Sequence, residues 1–373
     1  MSFVGVGRVK SKHLFHFPLE GISDDAIMPN EDDFYASEKG QELFQIWMKM
    51  EDIKDRDDEE ADKEYVHLYR KSENIEWGEL GKHRIFDAGL DNCMESLIKV
   101  PTYHCGHYEV NVYVYTPKGL MTTKKDSLRF PPALIYAHGG GALASSTTIY
   151  KPWLVQLAFN FNIVVFNVEY RLAPETKYPN NAKDFYECVK FISTNAPELG
   201  IDSAQIAISG MSGGGYICLA AMILMAQNDE SHMVKLGIPE TPMCSAYCFS
   251  DTKSMSKEER ENSCVMKRVW RLLANDLSND SNDPALFPDT AKDKLLMKMS
   301  PTIIISGEFD IFLTETTRFA NRLRSAGRLL EYVVFPGAKH SSNWYPKNKN
   351  SFALRQNTLK SIFNEYLFDF QKT

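Results

Sequence analysis

The stretch "IAISGMSGGGYICLAAM", residues Ile206–Met222, sets Ser212 among four glycines, with β-branched residues before it and a long apolar run after it. Glycine costs stability in a helix, so a cluster of them at a helix start needs a reason. A phosphate-binding loop would carry G-x-x-x-x-G-K-[ST], or G-x-G-x-x-G with an acidic ribose contact downstream. No lysine follows these glycines, and that acidic partner is not evident. The residues fit G-x-S-x-G instead, as Gly210-Met211-Ser212-Gly213-Gly214. In that motif a serine sits on a sharp strand-to-helix turn with its hydroxyl raised above the sheet edge. Gly210 and Gly214 permit the turn because a Cβ at either place would clash, and Gly215 lets the following helix pack close to the sheet.

A serine hydroxyl is a weak nucleophile that needs a base, an orienting acid and donors for an oxyanion. "YAHGGGAL" (Tyr136–Leu143) follows a strand-like run and brings three consecutive glycines. The N–H groups of Gly140 and Gly141, with that of Gly213, can converge on a carbonyl oxygen that is becoming negative. His138 in the same stretch is read as orienting this loop. Two acid candidates, Glu308 and Asp310, lie in "IIISGEFDIFLTE", where a carboxylate can reach across the sheet edge. The base candidate is His340 in "FPGAKHSSNW", after the last strand. His104 and His107 flank Cys105 in "YHCGHY", but no fourth metal ligand lies nearby. The order Ser212, acid, His340, each just after a strand, is the chain order of α/β-hydrolases and of no other triad.

The surrounding text is consistent with that architecture. From about residue 95, short apolar runs alternate with helical patterns. Strands are expected at Tyr108–Pro117, Ala133–His138, Ile163–Tyr170, Gln205–Ser209, Ser245–Ser250, Thr302–Ser306 and Leu330–Phe335. Helices are expected at about 149–160, 180–195, 214–227, 314–326 and 351–370. Continuous apolar strands between helices imply a mainly parallel sheet covered on both faces. Residues 251–298 interrupt the rhythm with a polar, helical excursion, most economically an inserted cap. Residues 1–90 are expected to form a helical segment, with apolar stripes at Leu43, Phe44, Trp47 and Met48 and at Tyr65, Leu68 and Tyr69. Residues 91–373 then form the catalytic domain.

At 373 residues, with 43% hydrophobic and 24% charged residues, the chain is ordinary for a globular protein. A net charge of −7 argues against nucleic-acid binding. The run from Glu51 to Glu64 reads as a solvated acidic surface. Seven scattered cysteines suit reduced thiols better than a disulfide framework. The N-terminus lacks the apolar core of a signal peptide, and the run Tyr216–Ala226 is too short for a membrane span, so a cytoplasmic location is expected.

The motifs "HGGGA" (His138–Ala142), "YRLAPE" (Tyr170–Glu175), "GMSGGG", "GEFDIFLTE" and "PGAKH" together resemble the hormone-sensitive-lipase-like branch of the α/β-hydrolases over about residues 95–370. The resemblance implies an eight-stranded, mostly parallel sheet with a helical cap, built partly by the N-terminal segment and partly by the insertion. It implies a serine carboxylesterase acting on short- to medium-chain esters without metal or organic cofactor. Carried over by motif position, Ser212 is the nucleophile, Asp310 rather than Glu308 the acid, His340 the base, and Gly140, Gly141 and Gly213 the oxyanion donors. Arg171 and Glu175 of "YRLAPE" are expected to make buried polar contacts that fix the catalytic loops. The sequence departs from the pattern with Met211 for the usual acidic residue, Gly213 for the usual alanine, and Ser341-Ser342 after the base. These departures bear on the pocket rather than on the chemistry. Amide hydrolysis uses the same machinery. A small-molecule receptor is a further alternative, since the plant gibberellin receptors resemble this family, but those lack the histidine found here at His340. Edge strands or cap helices could support a homodimer.

Overall fold

The computed structural model describes residues 37–82, 86–104, 106–122, 130–245, 257–275, 282–341 and 349–368. Eight strands form one sheet: β1 (Cys93–Thr102), β2 (Tyr108–Pro117), β3 (Ala133–Ala137), β4 (Val164–Val168), β5 (Ile206–Met211), β6 (Leu236–Glu240), β7 (Thr302–Phe309) and β8 (Leu329–Lys339). Their order is β1-β2-β4-β3-β5-β6-β7-β8. β2 is antiparallel to β1 and β4, and the remaining neighbours are parallel. The expected mostly parallel sheet is what the chain builds.

Every residue of β3, β4, β5 and β6 is buried, because helices cover both faces. Side-chain alternation decides the face. Ile135, Phe166, Ile208 and Ile304 point to one side, against helices α4 (Asn180–Thr194), α5 (Gly213–Gln227) and α7 (Leu313–Ser325). Leu134, Val165, Ala207 and Ile303 point to the other, against α3 (Thr147–Phe161) and α8 (Lys349–Ile362). The central α5 is apolar on nearly all sides and buried accordingly.

Two strands escape the sequence reading. β1 is an edge strand with charged Glu95 and Lys99, and it has no continuous apolar run to announce it. The strand between β5 and β7 is β6, not Ser245–Ser250. Ser245 lies in irregular chain, and 246–250 fall outside the described residues. β6 is masked by Gly237 and Pro239, both poor strand residues. The N–H groups of Gly237 and Thr241 donate to Pro301 and Ile305 of the β7 side at 2.9 and 2.7 Å. Pro239 falls between them, so the strand forgoes one ladder bond on that side only.

N-terminal to the sheet, α1 (Glu38–Ile53) is capped by Ser37 and α2 (Glu59–Leu80) by Asp58. The buried face of α1 is Gly40, Leu43, Ile46 and Ile53. Phe44, Trp47 and Met48 are exposed, so the predicted stripe is rotated from the true one. Between β6 and β7, helix α6 (Lys257–Leu273) meets the α1–α2 junction. There Arg268 donates to the carbonyl of Ile53 at 2.9 Å and Arg271 to Asp62 at 2.6 Å. Trp270 packs edge-on against Tyr216 of α5. The acidic run is therefore interrupted by the turn between two helices and partly neutralised by the α6 arginines.

Candidate active site

The candidate residues sit beyond the carboxyl ends of the strands, the side on which open α/β sheets gather their ligands. Ser212 joins β5 to α5 with φ 56° and ψ −117°, a conformation rare for a residue with a side chain. Both of its backbone polar groups are occupied. Its N–H donates to the Glu240 carbonyl and its carbonyl accepts from Tyr216, each at 2.9 Å. The glycines around it are sterically required. A Cβ on Gly210 would lie 2.3 Å from the Gly214 carbonyl oxygen, and one on Gly214 would lie 2.1 Å from that of Ala137.

His340 follows β8 and faces the serine across the sheet end. Its Nε2 is 2.9 Å from Ser212 Oγ, and its Nδ1 is 3.0 Å from each carboxylate oxygen of Asp310. A carboxylate only accepts, so Nδ1 carries the hydrogen and Nε2 is left to accept the serine O–H. Asp310 follows β7, and its side chain is fully buried. It also accepts the Phe312 N–H at 2.8 Å, and the Phe312 ring stands perpendicular to the imidazole at 5.0 Å. Glu308 instead accepts the Gly337 N–H at 2.7 Å and so ties the ends of β7 and β8 together.

The glycine loop is oriented through its carbonyls. The Gly139 carbonyl pairs with His138 Nδ1 at 3.0 Å, which directs the Gly140 N–H of the same trans peptide the opposite way. The Gly140 carbonyl accepts from Leu143 and Ala144 at 2.9 Å each, which likewise turns the Gly141 N–H away from that turn. Positive φ angles of 93° at Gly140 and 62° at Gly141 make this path possible. The loop lies against Gly213, where an added Cβ would stand 2.5 Å from both the Gly141 and Ala142 nitrogens. The departure from alanine at this position thus has a steric cause. His138 is buried and stacked on Tyr170 at 4.5 Å. Burial pulls its pKa below the usual imidazole value, which keeps it neutral as a donor to Gly139.

The other singled-out residues are placed as follows. Met211 is buried in the apolar cluster with Tyr136 and Tyr150 and packs against Gly139. Arg171 forms a two-pronged pair with Asp184 at 2.7 Å and covers the Tyr108 ring. Glu175 does not share that buried cluster. It is largely exposed and pairs with Arg70 of α2. His104 Nε2 is 3.1 Å from both Asp184 and the Asn180 carbonyl, and Cys105 lies outside the described residues. Sequence reasoning missed the buried pair of Arg355 and Glu240, with two contacts of 2.8 Å. It ties α8 to the residue whose carbonyl holds the Ser212 N–H. It also missed Tyr69 of α2 and Val269 of α6, which lie 3.6 and 3.7 Å from where a Cβ on Gly141 would be. Tyr69 shows in the sequence only as part of an apolar stripe, and no local motif marks the other three.

The eight-stranded, mostly parallel sheet, with a serine at the turn after β5 in hydrogen-bonded line with a histidine and a buried carboxylate, is the arrangement of α/β-hydrolases. The sequence profile of the alpha/beta hydrolase fold matches residues 134–343, and the chain belongs to this family, as the hormone-sensitive-lipase-like motifs implied. It is 28% identical to a carboxylesterase of Mycobacterium tuberculosis over 243 residues, covering 63% of this chain and 72% of that protein. It is 27% identical to an α/β-hydrolase superfamily protein of Schizosaccharomyces pombe over 56% of this chain. The match spans 62% of that relative's length, and 64% of a mimivirus α/β hydrolase. Among solved structures, a bacterial heroin esterase superposes with TM-score 0.69 at 25% identity, covering 80% of this chain and 91% of its own. An esterase of Pyrobaculum calidifontis, 24% identical with TM-score 0.67, shares the fold.

Proposed function

We propose that this protein is a serine carboxylesterase for short- to medium-chain esters, with Ser212 as nucleophile, His340 as base and Asp310 as the orienting acid. The observation that carries the reading is the continuous chain Ser212 Oγ, His340 Nε2, His340 Nδ1, Asp310, every link between 2.9 and 3.0 Å. Ser212 attacks the acyl carbon while its proton passes to Nε2. The charge that develops on the carbonyl oxygen is met by the N–H groups of Gly140, Gly141 and Gly213. Nε2 then protonates the departing alkoxide. Water repeats the sequence on the acyl-enzyme and releases the carboxylic acid. Asp310 stabilises the imidazolium and fixes the ring without taking the proton.

On this reading, α1, α2 and α6 cap the site. Tyr69 and Val269 lie against the oxyanion loop, and the exclusion of water there strengthens the amide dipoles. The unpaired thiols of Cys93, Cys188, Cys218 and Cys244 support a reducing, cytosolic setting. No helix among the described residues is long and apolar enough to cross a membrane. The test is Ser212→Ala assayed on p-nitrophenyl acetate and butyrate. Turnover is expected to fall by roughly 10⁵- to 10⁶-fold with the fold unchanged. Undiminished turnover would remove Ser212 from the mechanism.

A further inference from the structure

One side chain from outside the sheet reaches the glycine loop directly. Arg70, in the middle of α2, donates from Nε to the carbonyl of Leu143 at 2.8 Å. Its Nη2 donates to the carbonyl of Ala173 at 3.1 Å. Ala173 in turn donates its own N–H to the carbonyl of Ala142 at 2.9 Å. The guanidinium thus spans two loops that are already joined to each other, the glycine loop and the "YRLAPE" loop. Its remaining edge is held by Glu175, with contacts of 2.8 and 2.6 Å.

We propose that Arg70 is a positioning residue for the oxyanion hole, fixing through the Leu143 and Ala173 carbonyls the loop whose amides meet the developing charge. This inference rests on the esterase reading above. Without the clamp, the Leu143 carbonyl loses its tether to α2, and the Ala173–Ala142 bond that joins the two loops loses its brace from outside them. The geometry depends on the planar fork. One guanidinium presents Nε and Nη2 along two directions at once, whereas an ammonium is a single point of charge. The ion pair with Glu175 is half exposed and contributes little by itself. Its place is to stop the guanidinium from rotating away from the two carbonyls. The helix outside the sheet thereby becomes part of what orders the catalytic loop, in addition to covering it.

The test compares Arg70→Met and Arg70→Lys with a control on the same helix, Lys63→Met, which breaks only the exposed pair with Glu59. Each is assayed for kcat and KM on p-nitrophenyl butyrate and for affinity toward a trifluoromethyl ketone, which binds as the tetrahedral oxyanion. Arg70→Met is expected to lower kcat by about 10- to 100-fold, the order that a loop displacement of about 1 Å produces. KM should stay within about threefold, and the ketone should weaken in proportion to kcat. Arg70→Lys, which keeps charge and stem, should still lose at least about fivefold in kcat. It carries the test on its own if the methionine variant does not fold. Wild-type kcat and ketone affinity in either variant, below its unfolding midpoint, overturns the proposal. So does a full return of activity with lysine, because charge alone would then suffice. Ser212→Ala is measured alongside. If it stays active, the esterase reading and this inference fall together. If it is inactive while the Arg70 variants match wild type, only this inference falls.

Discussion

Ser212 and its two partners are held by different parts of one sheet. Ser212 leaves β5, a strand with neighbours on both sides and every residue buried. Asp310 leaves β7, next to the edge, and His340 leaves the edge strand β8, which is mostly part-buried or exposed and whose pairing with β7 carries two register shifts. At the centre, the geometry is imposed by backbone. A left-handed serine is fixed at both ends by hydrogen bonds, and glycines leave no room for a Cβ. At the edge it is imposed by side chains, an aspartate on an imidazole with a phenylalanine ring against it. The contrast teaches that the backbone of the central half, above all Gly210 and Gly214, cannot be altered without altering the fold, whereas side chains on either half can be changed at a cost to function alone.

That contrast can be broken at several points. The largest effect is expected at the centre. Gly214→Ala would press a methyl group to 2.1 and 2.4 Å from the carbonyl oxygens of Ala137 and His138, and the sheet cannot retreat. Expression should yield no folded enzyme, as read by circular dichroism; a cooperative wild-type melt would refute the steric account. At the edge, Asp310→Asn should lower kcat by about 10⁴-fold while the melting temperature stays near wild type. Glu308→Gln, which touches only the Gly337 N–H, should leave kcat within about twofold. A reversed pair of results would move the acid to Glu308.

Arg355→Met comes next. It leaves Glu240 charged and buried with no guanidinium, and should cost about 3–5 kcal/mol in denaturant unfolding. A loss below about 1 kcal/mol would mean that the pair does not brace the nucleophile turn. The last comparison concerns pH. The Glu315 carboxyl, buried where α7 begins and accepting the Cys244 N–H, has its pKa pushed up to about 8 by desolvation. The unfolded chain ionises this group near 4.5, so its contribution is intact below that pH and is lost as pH rises toward 8. Unfolding midpoints measured from pH 5 to pH 8 should fall more steeply in wild type than in Glu315→Gln. Equal slopes would contradict the assignment.

The same division explains what could be read from the sequence. The central strands announce themselves as unbroken apolar runs, and the elbow and glycine loop carry local patterns forced by sterics. Ser212, Gly140, Gly141, Gly213 and His340 can therefore be singled out as candidates from the sequence. Asp310 and Glu308 are two residues apart after one strand, and only family resemblance ranked them. β6 was misplaced because Pro239 and Gly237 contradict strand preference, and the neighbouring strands override that preference. The rotated stripe of α1 has a related cause. Periodicity marks the apolar residues of that helix but not which of them the rest of the molecule will cover. Arg70, Tyr69, Arg355 and Glu240 act over long sequence separations, as with Arg70 and Ala173, 103 positions apart, and no spacing rule can pair them.

The central claim, that an activated hydroxyl stands at residue 212, is tested most directly by a fluorophosphonate probe followed by peptide mapping. The account predicts one adduct on the Ser212 peptide of the wild-type protein, absent in Ser212→Ala and strongly slowed in His340→Ala. A wild-type protein that stays unlabelled, or an adduct on another serine, would contradict it.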